Sequence, residues 1–340
     1  MSFELNSRPL RAHLRTQTVF ALFAIAAFVA LSSQPAKAAY DCAYTDDTVF
    51  DLKTDPEAGP PLPKESYDYQ AIKTPPTDSR ENFITYMKGW RGVDRTMSIQ
   101  KWDRYQRMIG NQDLREDRVK RAFLLAARQE FTRTSDPHRV YAHAVHSIGC
   151  GVTISGPHLV GRMTTELDLQ PGEKVLEVGT GSGYQSAVLS YLTDKVFTIE
   201  IIPPLAKVTD NIQKRLARGK YPEVRNITRK AADGYFGWEE HAPFDKIIVT
   251  AGIDHIPPPL LKQLRVGGIM VIPVGTPGSQ AVLKVTKTKS ESGRLKIVRH
   301  DIYADRPSVA GGRPVLRVGF VPFTKYDDKG ETIARWGKTK

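Results

Sequence analysis

The residues best placed to do chemistry lie in VLEVGTGSGYQ, residues 175 to 185. Here Glu177 is followed by Gly179, Gly181 and Gly183, with Thr180 and Ser182 between the glycines. An apolar run ends at this loop and a helical pattern begins after it, so the glycines sit at a strand-to-helix turn. Glycines there take positive φ and let the backbone pass close to a ligand, while the helix N-terminus offers unpaired N–H groups. The next apolar run ends at Glu200, where a carboxylate at a strand tip can accept hydrogen bonds from ribose hydroxyls. Ala232-Asp233-Gly234 then puts Asp233, beside Gly234, where an adenine amino group could be read.

A dinucleotide fingerprint, G-x-G-x-x-G, would need its third glycine at 184, and that residue is Tyr184. The E-x-G-x-G-x-G form is the one typical of S-adenosylmethionine sites. The ribose-reading acid is shared by both cofactor classes and does not separate them. A glycine turn in an unrelated α/β domain is the competing reading.

The surrounding pattern supplies the scaffold. Apolar runs at 174–179, 195–201, 244–252 and 268–275 alternate with helical stretches at 184–192, 205–217 and 258–264, which predicts βαβ units. After 280 the runs AVLKVTKT, RLKIVRHDIY and PVLRVGFVPF follow one another and predict an antiparallel edge. The expected fold is a Rossmann-like α/β sheet, mostly parallel with an antiparallel C-terminal edge and helices on both faces. Residues 81 to 133 read as helical. Residues 39 to about 80, rich in Pro, Asp and Thr, read as a linker or wrapping arm.

With these pieces in order, the chain resembles the protein-L-isoaspartate O-methyltransferase family from about Trp102 to Thr324. SIGCGVTISGPHLVGRM (147–163) is similar to the family's I-G-x-x-x-T-I-S-x-P signature. APFDKIIVTAG, IPPPLLKQLRVGG and VIPVG follow in family order, and FVPFT (320–324) resembles V-P-L-T. RVKRAFLLAARQEF resembles the segment ending P-R-x-x-F, with Ala127 in place of the proline, and Tyr141-Ala142 resembles its A-Y region. Other departures are Ala232 for the glycine of G-D-G, Gly252 within the usual T-A-A, and Val152 for a frequent glutamine.

The resemblance implies S-adenosyl-L-methionine as cofactor, Glu177 by its methionine amine, and methyl transfer to the carboxylate of L-isoaspartyl residues in damaged proteins or peptides. It implies Ser155 as the active-site hydroxyl, with Thr153, His158 and Thr324 shaping or contacting the substrate. In the family the methyl ester collapses to a succinimide, whose hydrolysis returns some normal aspartate. No metal is implied. A carboxylate is ionised near neutrality and is its own nucleophile, so no strong base is required. Orientation alone can supply roughly 7–11 kcal/mol in well-aligned reactions.

Other readings stay open: a methyltransferase for another carboxylate, and an exported, non-catalytic module that keeps the fold for binding. A base-amine methyltransferase would carry (N/D)-P-P-(Y/F) after the fourth strand, whereas Thr250-Ala251-Gly252-Ile253 stands there.

The first 38 residues read as an address. Arg8, Arg11 and Arg15 precede the apolar run Val19 to Leu31, and Ala36-Lys37-Ala38 offers a small-x-small cleavage site. This predicts export, to a periplasm, with no stable membrane insertion after cleavage; the alternative is the cytoplasmic location general for the family. The expected organisation is 1–38 signal, 39–100 arm and added helical segment, 101–324 methyltransferase domain and 325–340 polar tail, as a monomer.

A net charge of +12 over 340 residues hints at nucleic acid, but +3 lies in the signal and +9 is dispersed over 141–340. No basic stripe with interleaved aromatics forms, so no nucleic-acid partner is expected. Mean hydropathy of −0.36 excludes a polytopic membrane protein. The two cysteines, Cys42 and Cys150, could bridge in an oxidising compartment or remain thiols.

Overall fold

The structure, a computed structural model, describes residue 42 and residues 66–134, 136–304, 317–326 and 332–334. The signal-like segment lies outside the described residues. Among those described, no helix is long and apolar enough to cross a membrane.

Seven strands form the central sheet: β3 (Val175–Val178), β4 (Val196–Glu200), β5 (Ile227–Ala231), β6 (Phe244–Val249), β7 (Leu264–Thr276), β8 (Ser279–Lys289) and β9 (Leu295–Asp301). Their order is β5-β4-β3-β6-β7-β8-β9. The pairs from β5 to β7 are parallel, and β7–β8 and β8–β9 are antiparallel, as the sequence pattern predicts. A short hairpin, β1 (His146–Gly149) with β2 (Val152–Ile154), precedes the sheet. The pair β10 (Thr324–Tyr326) and β11 (Thr332–Ala334) follows it.

The alternation of side chains along the strands divides the core into two. Val175, Ile248 and Val271 join one apolar cluster, and Leu176, Ile247, Val249, Met270 and Ile272 join the other. The first face is covered by helices α5 (Pro157–Leu167), α6 (Tyr184–Leu189) and α7 (Pro203–Arg218). In α7, Leu205, Val208, Ile212 and Leu216 make the buried stripe at three- and four-residue spacing. The short α8 (Pro258–Gln263) places Leu260 in the second cluster.

The helical region ahead of the sheet resolves into α1 (Arg80–Arg91), α2 (Arg95–Gly110), α3 (Asp117–Leu125) and the single turn α4 (Pro137–Val140). Ser79 caps α1, its hydroxyl accepting from Asn82 N–H, and Gly92 closes it at φ 65°. Phe83, Met87, Trp102, Tyr105, Phe123 and Leu124 pack α1–α3 into a third cluster. Ahead of these helices the chain clings to the domain. The Tyr67 N–H donates to the Asn226 side-chain oxygen and its carbonyl accepts from Asn226 Nδ2, and the Arg121 guanidinium donates to the Tyr69 and Ile72 carbonyls.

Of the expected strand PVLRVGFVPF, the described residues 317–323 form only isolated bridges, Val318 to Gln280 and Pro322 to Gly252, and cross the end of the sheet as a strap. Pro322 has no N–H to give to a continuous ladder.

Candidate active site

At the C-terminal ends of β3, β4, β5 and β6 lies a pocket of about 920 Å³ counting its open mouth. Such crevices are where α/β sheets bind ligands. Its floor is the glycine loop. Gly179, Gly181 and Gly183 have φ of 99°, 55° and 89°, a region that L side chains rarely adopt. A Cβ on Gly179 would stand 2.5 Å from Thr250 Oγ1, the hydroxyl that donates to the Gly179 carbonyl. Thr209 Oγ1 holds the Gly181 carbonyl at 2.6 Å.

Two carboxyls face this floor in different company. Glu200 accepts from Gly181 N–H at 2.8 Å and from Ile202 N–H at 3.0 Å. Burial raises its pKa, and these backbone donors oppose the rise. Glu177 is fully buried. Its Oε2 accepts from Ser186 and, at 2.8 Å, from Thr198 Oγ1, which also meets Thr180 Oγ1 at 2.7 Å. Its Oε1 has no hydrogen-bond partner among the described residues. Burial pushes the Glu177 carboxyl up to about 8; the two hydroxyls oppose this and the Glu200 charge adds to it.

The hairpin β1–β2 forms the opposite wall. At its tip Gly149, Cys150 and Gly151 take φ of 89°, 52° and 66°. Cys150, fully buried, is disulfide-bonded to Cys42. The Ile148 side chain reaches the glycine loop, 3.6 Å from where a Gly181 Cβ would lie. Beyond β2 the chain turns through Ser155 into α5, so Thr153 and Ser155 line the pocket together with Glu177, the 179–182 loop, Glu200 and Gly234.

The strap completes the enclosure. Val318 pairs with Gln280 backbone to backbone, Phe320 N–H donates to Gln280 Oε1 at 2.9 Å, and Gly252 bonds to Val321 O and Phe323 N–H. Phe320 through Thr324 thereby line the pocket, with Thr324 itself buried.

Three expected residues stand back from the pocket lining. Gly183 caps α6, its Cα pressed against Gln213 and Thr209. Asp233 accepts from Tyr235 N–H and so shapes the turn carrying Gly234. The His158 ring stacks on His143 at 3.7 Å. Sequence reasoning passed over Ser186 and Thr198, which grip Glu177, and Thr250 and Gln280, which hold the loop and strap. These are isolated polar residues whose role appears only when distant segments meet.

Comparison with known proteins bears on this arrangement directly. The family model described as Protein-L-isoaspartate(D-aspartate) O-methyltransferase matches residues 104–306. The chain belongs to this family. "Protein-L-isoaspartate O-methyltransferase 1" of Cupriavidus necator is 43% identical over 195 residues, covering 57% of this chain and 67% of that protein. "Protein-L-isoaspartate O-methyltransferase 2" of Nitrosococcus oceani is 42% identical over 234 residues, covering 69% and 94%. A solved protein-L-isoaspartate O-methyltransferase structure from Plasmodium falciparum, in complex with S-adenosyl-L-homocysteine, aligns with a TM-score of 0.52 at 22% identity. It covers 65% of this chain and 96% of that one, and supports the shared fold.

The isoaspartate methyltransferase pocket offers what S-adenosylmethionine needs. Glycines without Cβ leave room for a close ligand, Glu200 presents a carboxylate held by backbone donors, and Glu177 Oε1 is a buried acceptor lacking a donor.

Proposed function

We propose that this chain transfers the methyl group of S-adenosylmethionine to the side-chain carboxylate of L-isoaspartyl residues in damaged proteins or peptides. The reading rests on one observation: Ser155, Thr324, and Glu177 with the glycine loop, from three separate stretches of sequence, line a single pocket. The cofactor supplies a methyl group on a sulfonium, already activated by its positive charge. Gly179, Thr180, Gly181, Ser182 and Gly183 shape its cradle, Glu200 reads the ribose, Gly234 borders the adenine on the turn that Asp233 shapes, and Glu177 takes the amino-acid end.

Ser155 donates a hydrogen bond to the acceptor carboxylate and aims one oxygen at the methyl carbon. Thr153 and Thr324 bound the same space from the hairpin and the strap, and His158 supports the Ser155 loop from behind. The carboxylate is ionised near neutral pH, so none of these residues has to remove a proton. Their work is orientation and exclusion of water.

The organisation follows the sequence reading: signal 1–38, arm and added helices 39–100, methyltransferase domain 101–324 and a polar tail, exported to a periplasm as a monomer. The Cys42–Cys150 disulfide supports export, because such bonds persist in oxidising compartments.

A Ser155→Ala variant tests the assignment. It is expected to keep its affinity for S-adenosylhomocysteine and to lose methyl transfer by tenfold or more, as about 1.4 kcal/mol or more of transition-state stabilisation would require. Unchanged transfer would remove Ser155 from the mechanism.

A further inference from the structure

The two pocket carboxyls are not equivalent. Glu200 has a backbone N–H on each oxygen, and these donors oppose the rise in its pKa that burial causes. Among the described residues Glu177 has only the Ser186 and Thr198 hydroxyls, both on Oε2, and its Oε1 is without a partner. The groups facing it are Ser186 of α6, Thr198 of β4 and, as the one nearby charge, the like-charged Glu200; no lysine, arginine or histidine among the described residues offsets it. A fully buried carboxylate with no cation and one unsatisfied oxygen is costly, and such a group takes up a proton instead.

We propose that Glu177 is a neutral acid in the free protein and releases its proton to solvent as the ammonium of the cofactor's amino-acid end arrives, so that it selects for ligands bearing that cation. The balance is simple. Glu177 Oε1–H loses its proton to buffer, the ammonium keeps its own, and N–H donors take the place of the lost O–H at Oε1. The sulfonium cannot serve in this way because it has no hydrogen to donate. The selection rests on the cofactor reading above.

Proton release can be measured without turnover. The full chain is titrated calorimetrically with S-adenosylhomocysteine in two buffers of different ionisation enthalpy at pH 6.5. The expected release is close to one proton per ligand bound. Affinity should tighten about 20-fold between pH 6.0 and 7.5, the window below the raised Glu177 pKa of about 8. 5′-Deoxy-5′-methylthioadenosine, which keeps the nucleoside but lacks the ammonium, should bind with no release and no such slope. Glu177→Gln should bind S-adenosylhomocysteine without proton release, and its melting temperature without ligand should lie at or above the parent's at pH 6.5. Binding without proton release in the parent, or equal release with the truncated nucleoside, overturns the proposal alone. So does persistent release from Glu177→Gln, or a large fall in its ligand-free melting temperature. Failure of both nucleosides to bind overturns the cofactor reading and this proposal with it.

Discussion

Gly252 turns its bare Cα toward the fully buried amide of Gln280, so closely that a Cβ there would stand 3.0 Å from Gln280 Cδ and Nε2. From this position the amide donates to Thr276 O at 2.7 Å and accepts from Phe320 N–H at 2.9 Å. Gly252 takes the next two strap bonds, to Val321 O and Phe323 N–H. Together these residues clamp the segment that brings Thr324 to the pocket.

Gln280→Ala removes the acceptor for Phe320 N–H and the donor to Thr276 O, two part-buried hydrogen bonds. The cost is about 0.5–1.5 kcal/mol per bond. KM for an isoaspartyl peptide should rise several-fold and more than kcat falls, since the strap forms a wall of the pocket. Initial rates over a peptide series check this, and an unchanged KM would free the strap from substrate binding.

The Cys42–Cys150 bond closes a loop across a sequence separation of 108 residues. Breaking a bond of that span is expected to cost about 2–5 kcal/mol. A thiol count on the unreduced protein should find none free, and two after reduction. Reductant should lower the melting temperature of the parent and leave that of a Cys42→Ser, Cys150→Ser double variant unchanged.

Arg91 of α1 reaches Glu223, ahead of β5, at 3.1 Å, and both side chains are nearly or wholly buried. Tyr191 donates to the other Glu223 oxygen. Arg91→Met strands a buried acid and should cost about 3–5 kcal/mol in denaturant unfolding. Adding Glu223→Gln should recover much of that loss. A loss under 1 kcal/mol would mean that α1 is only loosely tied to the domain.

Glu177 also gives stability a pH dependence. Its folded pKa of about 8 lies above the ordinary carboxylate value, about 4.3 in an unfolded chain. The folded protein therefore holds a proton that the unfolded chain has released. The associated stability is full below the unfolded pKa and is lost as pH rises through about 8. Glu177→Gln, which cannot titrate, should gain stability relative to the parent as pH rises from 5 to 8 in ligand-free melts. A constant difference would contradict the raised pKa.

Local pattern carried much of this molecule. Buried strands read as apolar runs, and the glycine loop with Glu177 and Glu200 is legible because its residues lie at fixed offsets around strand ends. The T-I-S segment was legible as a contiguous string, and it does reach the pocket. What escaped depends on long-range meetings. Thr250 finds Gly179 across 71 positions, and Phe320 finds the Gln280 side chain across 40. PVLRVGFVPF has the composition of a strand, yet Val318 and Pro322 find only single bridging partners. His158 sits within the signature string, but its ring turns to His143 rather than into the pocket.

The central claim is methyl transfer to an isoaspartyl carboxylate by the Ser155 pocket. It is tested most directly by offering labelled S-adenosylmethionine with two peptides identical except for an isoaspartyl or an aspartyl linkage. The expected result is label in the isoaspartyl peptide alone, as a base-labile ester, sharply reduced by Ser155→Ala. Equal labelling of both peptides, or none of either while S-adenosylhomocysteine still binds, would contradict it.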